Sequence, residues 1–228
     1  MLKHMIGKEI RQNWTILSLT LAAAILVPVA IVAVDSRYGQ NTALAIRFLT
    51  DLSGSMAVTF VCPSVLSYLL MATERTKRTF LVYRMLPAAT DTVIFAKEAT
   101  AFGALISLYA VNLASFLLAF RFAMGELPFP IGPSWVIAGL AVLIAATDFS
   151  LWIFLAFAQK WATQLPFAIA ALMYPVVVVA EHTGNGGQIM TNHIAAIALP
   201  VCAALLVVFH ILMRKEFDRQ DWSMPSAE

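Results

Sequence analysis

Polar residues in this chain are confined to short intervals between long apolar runs. Six runs, at 14–34, 52–72, 99–120, 134–158, 161–180 and 194–213, contain a single Asp, Glu, Lys or Arg between them, Asp148. A hydrocarbon core about 30 Å thick needs about 20 helical residues to cross it, and each run reaches that length. The runs are continuous rather than alternating within segments of about ten residues, which excludes a closed outer-membrane barrel. The pattern predicts an all-α integral membrane protein with six transmembrane helices. The interval ahead of the first run has its own period. Leu2, Met5, Ile6, Ile10 and Trp14 recur at spacings of three and four, with Lys3, Lys8, Glu9, Arg11 and Gln12 filling the other face. An amphipathic helix over 1–13, lying in the membrane interface, is the expectation.

Composition agrees with that reading. The chain is 61% hydrophobic and 12% charged, whereas soluble domains are about 45–50% apolar, so a soluble globule is excluded. The first run is longer than the roughly 7–15 residues of a signal-peptide core, so it is expected to stay as a span. Charge then sets orientation. With the N-terminus inside, Lys3, Lys8, Arg11, Arg75, Lys77, Arg78, Arg84, Lys97, Lys160, Arg214, Lys215 and Arg219 fall on the inner side, and only Arg37, Arg47 and Arg121 on the outer. This bias places both termini in the cytoplasm and predicts contact with anionic lipid headgroups, not nucleic acid. The organisation is an interfacial helix at 1–13, a six-span domain at 14–213 and a cytoplasmic tail at 214–228. The stretch Thr183-Gly184-Asn185-Gly186-Gly187 reads as a turn between the last two spans.

The inner interval 73–98 carries the most information. Glu74-Arg75-Thr76-Lys77-Arg78-Thr79 is followed by a short apolar helix, Phe80-Leu81-Val82-Tyr83-Arg84-Met85-Leu86, which Pro87 stops. Thr90 can cap a new helix with Asp91 in its first turn, running on to Phe120 for about 46 Å, so that its first two turns project beyond the membrane. An apolar helix held between cations either lies on lipid or docks into a groove on a soluble partner. The residues alone leave both open.

Glu74, the basic stretch with Arg75 and Arg78, Thr79 with the apolar Phe80, Leu81 and Tyr83, then Leu86-Pro87 and Lys97 together resemble the corresponding loop in permease subunits of ATP-binding cassette transporters of the type-2 exporter group. The six-span plan, cytoplasmic termini and interfacial first helix are similar as well; Arg78 stands where that family commonly has Gly. The resemblance implies that 1–13 is a connecting helix and that 80–86 is a coupling helix meeting a nucleotide-binding ATPase subunit. It also implies a second permease chain, as homo- or heterodimer, and export across a bacterial-type inner membrane. ATP and Mg are then expected on the partner, because this chain has no G-x-x-x-x-G-K-[ST] and no inner interval that would house an ATPase domain. No cofactor and no enzyme activity are expected of the chain itself. A haem-exporter-type permease of cytochrome maturation shares the same plan, and a secondary transporter or a membrane anchor subunit are the alternatives outside the ATPase-driven class.

Within the spans, Asp148 lies about two thirds of the way through the fourth run. An intramembrane carboxylate must face protein or water, so Asp148, with Asn112, is assigned to the translocation path; the competing reading is a packing residue hydrogen-bonded to Thr147 or Ser150. Cys62 and Cys202 fall in different spans and read as small apolar residues. His4, His182, His193 and His210 show no metal-ligand spacing, and no nucleophile motif occurs, so neither metal nor catalytic residues are expected. Pro28, Pro63, Pro175 and Pro200 sit inside four spans, where they can kink helices or simply shape the bundle.

Overall fold

The structure, a computed structural model, describes residues 2–38, 90–127, 133–156 and 186–219, with scattered helical positions between Leu44 and Met71; for 133–135, 138 and 186–198 it describes the backbone alone. The loop positions Glu74, Arg75, Arg78, Thr79, Phe80, Leu81, Tyr83, Leu86 and Pro87, the predicted span at 161–180 and the tail from 220 onward lie outside the described residues. The helices are α1 (Leu2–Gln12), α2 (Trp14–Tyr38), α3 (Thr90–Met124), α4 (Pro133–Ala156) and α5 (Gly186–Arg219).

Local chemistry accounts for most of their ends. Between α1 and α2 only Asn13 leaves the helix; its amide and its Nδ2 both donate to the Glu9 carbonyl, at 3.1 and 2.9 Å. The long α3 starts at Thr90 with Asp91 in its positive first turn and is 35 residues long, about 52 Å. It stops at Gly125, whose φ of 82° is open to glycine and whose amide donates to the Arg121 carbonyl at 2.9 Å. Proline at the first position of α4 gives up an amide that would have no helical partner. The expected turn before the last span is shorter than the sequence suggests, because α5 already begins at Gly186. Glycine weakens helix interiors, while the first positions of a helix accept it.

Three stretches, Trp14–Arg37, Thr90–Met124 and Gly139–Ala156, are long and apolar enough to cross a membrane. Large apolar side chains face outward from α2 (Leu19, Leu26, Val34) and from α5 (Val201, Val207, Ile211). This all-α fold of long, apolar, partly buried helices is consistent with an integral membrane protein, whose solvent on those faces is lipid.

The axis of the assembly is α3. It packs along α2 and meets α1, α4 and α5, while α4 and α5 pack extensively on each other. At the end where α3 begins, Leu70, Met71, Val93, Ile94, Leu151, Phe154, Met213 and Phe217 form one apolar core. At its far end Val32, Phe48, Phe116 and Phe120 form another. Phe48 meets Phe116 and Phe120 edge to face, with ring centroids 5.3 and 5.0 Å apart, a favoured aromatic geometry. Midway, Tyr109 donates its hydroxyl to the Val136 carbonyl at 3.2 Å. A Cβ at Gly139 would lie 2.9 Å from that hydroxyl, so glycine is what lets α4 come this close to α3.

Candidate functional site

Buried charge gathers at one end of the bundle, the end that holds α1. Lys97 of α3 is buried with Nζ 2.7 Å from the Leu70 carbonyl and 3.3 Å from Glu9 Oε1, and both side chains of this ion pair are almost fully enclosed. The sequence pattern puts Glu9 on the polar face of α1, yet Glu9 is the buried residue of that helix, while Ile10 and Trp14 are exposed. The physical reason is Lys97. A cation embedded in apolar surroundings draws in a carboxylate, since leaving one charge of a buried pair alone is strongly destabilising. The ion pair thereby joins α1, the end of the second run and α3 at one point. Leu70 immediately precedes the loop 73–98 and Lys97 closes it, so the two ends of that loop are pinned together.

The next residue, Glu98, faces the other way. Its Oε1 lies 2.7 Å from Nδ1 of His210 on α5, with side-chain exposures of 8% for Glu98 and 31% for His210. Asp148 on α4 is the third member. It is 1% exposed, its charge interacts with that of Glu98, and among the described residues its Oδ1 has no hydrogen-bond partner. The neighbours suggested by sequence do not serve it, because Thr147 donates to Leu143 O at 2.7 Å and Ser150 to Ala146 O at 2.8 Å. Glu98 sits eight residues into α3, His210 nine before the end of α5 and Asp148 eight before the end of α4. All three therefore lie about 12–14 Å along their helices from the same end of the bundle.

Toward that end α3 and α5 continue as a ladder of polar pairs. Arg214 Nε is 3.3 Å from Asp91 Oδ1, and Thr90 donates to Asp218 at 3.1 Å, both pairs exposed. Beside Asp148 and His210 along the chain, the rings of Phe149, Trp152 and Phe209 pack against one another between α4 and α5. Exposure thus falls step by step from Asp218 and Arg214 through His210 and Glu98 to Asp148.

Asn112, the other residue assigned to a path, is elsewhere. It is fully buried, donates to the Ser55 carbonyl at 3.2 Å and the Ala24 carbonyl at 3.4 Å, and accepts from Ser55 Oγ at 3.4 Å. It ties three helices together about 21 Å along α3 from Glu98. The structure does not bring Asn112 and Asp148 into one site. Of the residues assigned to an ATPase contact, Lys97 alone is described, and it is internal. Sequence reasoning missed Glu98 and His210. Both fall near the ends of apolar runs, where ionisable residues are ordinary, and only the antiparallel contact of α3 with α5 makes them a pair.

At the opposite end Arg47 binds Asp35 through Nε at 2.5 Å and through a second nitrogen to the Asp35 carbonyl at 2.9 Å. Asp51 beside them is buried, and burial, helped by the nearby Asp35 charge and opposed by Arg47, pushes its carboxyl up from 3.8 to about 6.

Comparison with family models, with characterised proteins and with solved structures finds no match to this chain.

Proposed function

We propose that the protein is the membrane-spanning subunit of a transporter, driven through its 73–98 loop by a separate ATPase, in the manner of the type-2 exporter permeases that the loop resembles. The observation that supports this reading is the junction of Glu9, Lys97 and the Leu70 carbonyl. A force applied to a loop whose two ends meet at a buried ion pair reaches α1, the second run and α3 together. Closure of an ATPase dimer would then move 80–86, and the long α3 would carry the displacement toward the far end of the bundle. On this reading both termini are cytoplasmic, α1 lies in the inner interface and a second permease chain completes the pathway.

The test is co-purification with an ATPase encoded alongside, with Phe80 and Leu81 each changed to Asp. Loss of the complex and of coupled ATPase activity is expected. Intact assembly with full coupling in the double variant removes the docking role of 80–86.

A second reading, a transporter driven by an ion gradient, draws support from the Asp148, Glu98 and His210 cluster, since ionisable groups inside a span mark relays and substrate routes. Substrate movement that follows a pH gradient with no ATPase present would select it.

A further inference from the structure

The helical phase of α1 runs on into α2. The Asn13 amide donates to the Glu9 carbonyl at 3.1 Å and the Asn13 carbonyl accepts from the Leu17 amide at 2.9 Å, so helical bonds bridge the junction. Counted from Trp14, Leu21 and Ile25 of α2 lie about two and about three turns ahead, and Lys3 of α1 lies about three turns behind. One side of the combined helix thus carries Ile25, Leu21, Trp14 and Lys3, with Ile10 and Arg11 about one turn behind Trp14 on either flank. All six are exposed. Met5, which the sequence pattern turns to the same surroundings as Trp14, packs on the apolar core instead, and Glu9, the one carboxylate of α1, is drawn inside by Lys97. The charge that stays outward on α1 is positive, and neither Lys3 nor Arg11 has a carboxylate partner among the described residues. Arg11 is laid back along the helix over Gly7, its Nε donating to the Gly7 carbonyl at 3.2 Å.

We propose that this side of α1 binds the headgroup of an anionic phospholipid in the inner leaflet, with Arg11 on the phosphate, Trp14 and Ile10 at the top of the acyl chains and Lys3 as a more distant attraction. The occupant follows from continuity. The side that carries Arg11 on α1 carries Leu21 and Ile25 on α2, where the surroundings of a span are acyl chains, so the head of the same lipid stands beside α1. Its charge follows from complementarity, because the burial of Glu9 removes from this side the only group that would repel an anion. The depths agree as well. A headgroup layer adds about 5–7 Å to each side of the hydrocarbon. Arg11 is about 4 Å beyond Trp14 along the axis, among the phosphates, and Lys3 is about 16 Å beyond it, roughly one Debye length outside that layer. Trp at the boundary and an Arg stem running toward the headgroups are the usual ways in which such side chains meet the interface. The charge bias along the sequence points to anionic lipid in general, with the Met5 side of α1 turned to it; the contact belongs to the neighbouring side, with Arg11 at its centre. This inference rests on the reading of α2 as a span that starts at the inner face, and needs no ATPase.

The experiment is native mass spectrometry of the full chain in detergent, titrated with phosphatidylglycerol or with phosphatidylcholine. The wild type is expected to bind its first phosphatidylglycerol more tightly than its first phosphatidylcholine. Arg11→Gln is expected to weaken the phosphatidylglycerol affinity about fivefold, the effect of one cation at an anionic surface, and to leave phosphatidylcholine unchanged. Arg11→Lys is expected to keep the preference, and Lys3→Gln to lose less than about twofold, since its charge stands farther from the phosphates. Phosphatidylglycerol binding undiminished in Arg11→Gln, or an equal loss for both lipids, overturns the proposal. Loss of ATPase co-purification in Arg11→Gln with lipid binding intact overturns it in favour of a soluble partner on this side. Because no ATPase is present in the lipid titration, failure of the Phe80 and Leu81 test leaves its result unchanged.

Discussion

The two ends of α3 are held by opposite means. Its first turns bury Lys97, Glu98 and Thr100 against α1, α5 and the end of the second run, while its last turns bury Phe116 and Phe120 against Phe48 and Val32. Aromatic rings packed edge to face need nothing from their surroundings except shape. Buried charges need a partner each, and in lipid no water supplies one. The aromatic cluster is therefore a scaffold set by shape, with the Arg47–Asp35 pair and Asp51 beside it. The end where α3 begins is fixed by pairings that fail singly, Glu9 with Lys97 and His210 with Glu98.

This contrast can be broken most readily at Lys97. Lys97→Met removes the cation held by Glu9 in the interior and is expected to destabilise the protein by about 3–5 kcal/mol. Adding Glu9→Gln should recover most of that loss. Denaturant titration of the two variants in detergent measures both, and a loss no greater than that of a surface substitution would mean that the charged end is not specified by its ion pair. Next in size is Phe116→Ala, with an expected loss of about 3 kcal/mol from the cavity it leaves. Phe116 packs on the uncharged rings of Phe48 and Phe120, so the loss should be the same at pH 5 and pH 8, and a pH-dependent loss would couple this packing to Asp51, which titrates at the same end.

The smallest effect concerns Asp51. Its carboxyl titrates at about 6 in the folded protein against 3.8 ordinarily, so the folded state holds this proton more tightly than the unfolded chain does. The stability from this group is complete below 3.8 and is lost as pH rises through about 6. The melting temperature should fall between pH 5 and pH 7.5, and Asp51→Asn should flatten that part of the fall. An Asn variant with an undiminished slope would assign it to other groups.

Much of the frame is legible in the sequence because apolar runs of membrane length and breaks at Pro, Gly and Thr are local signals. The start of α3 at Thr90, its unusual length and the position of α1 ahead of α2 all follow from them. Glu9 shows where such reasoning stops. Its helical position assigns it to the polar face, and a residue 88 positions away in the chain reverses the assignment. The same holds for His210 and Glu98, 112 positions apart. Each looks like an ordinary boundary residue until the helices are placed together.

The sequence by itself determined that this chain builds long apolar helices of the length a membrane requires, because apolarity over about 20 residues is a property of one segment at a time. Only the tertiary structure decided which charges are partners. A buried charge is stabilised by whatever lies a few ångströms away across the bundle, and that neighbour is chosen by helix packing rather than by position along the chain.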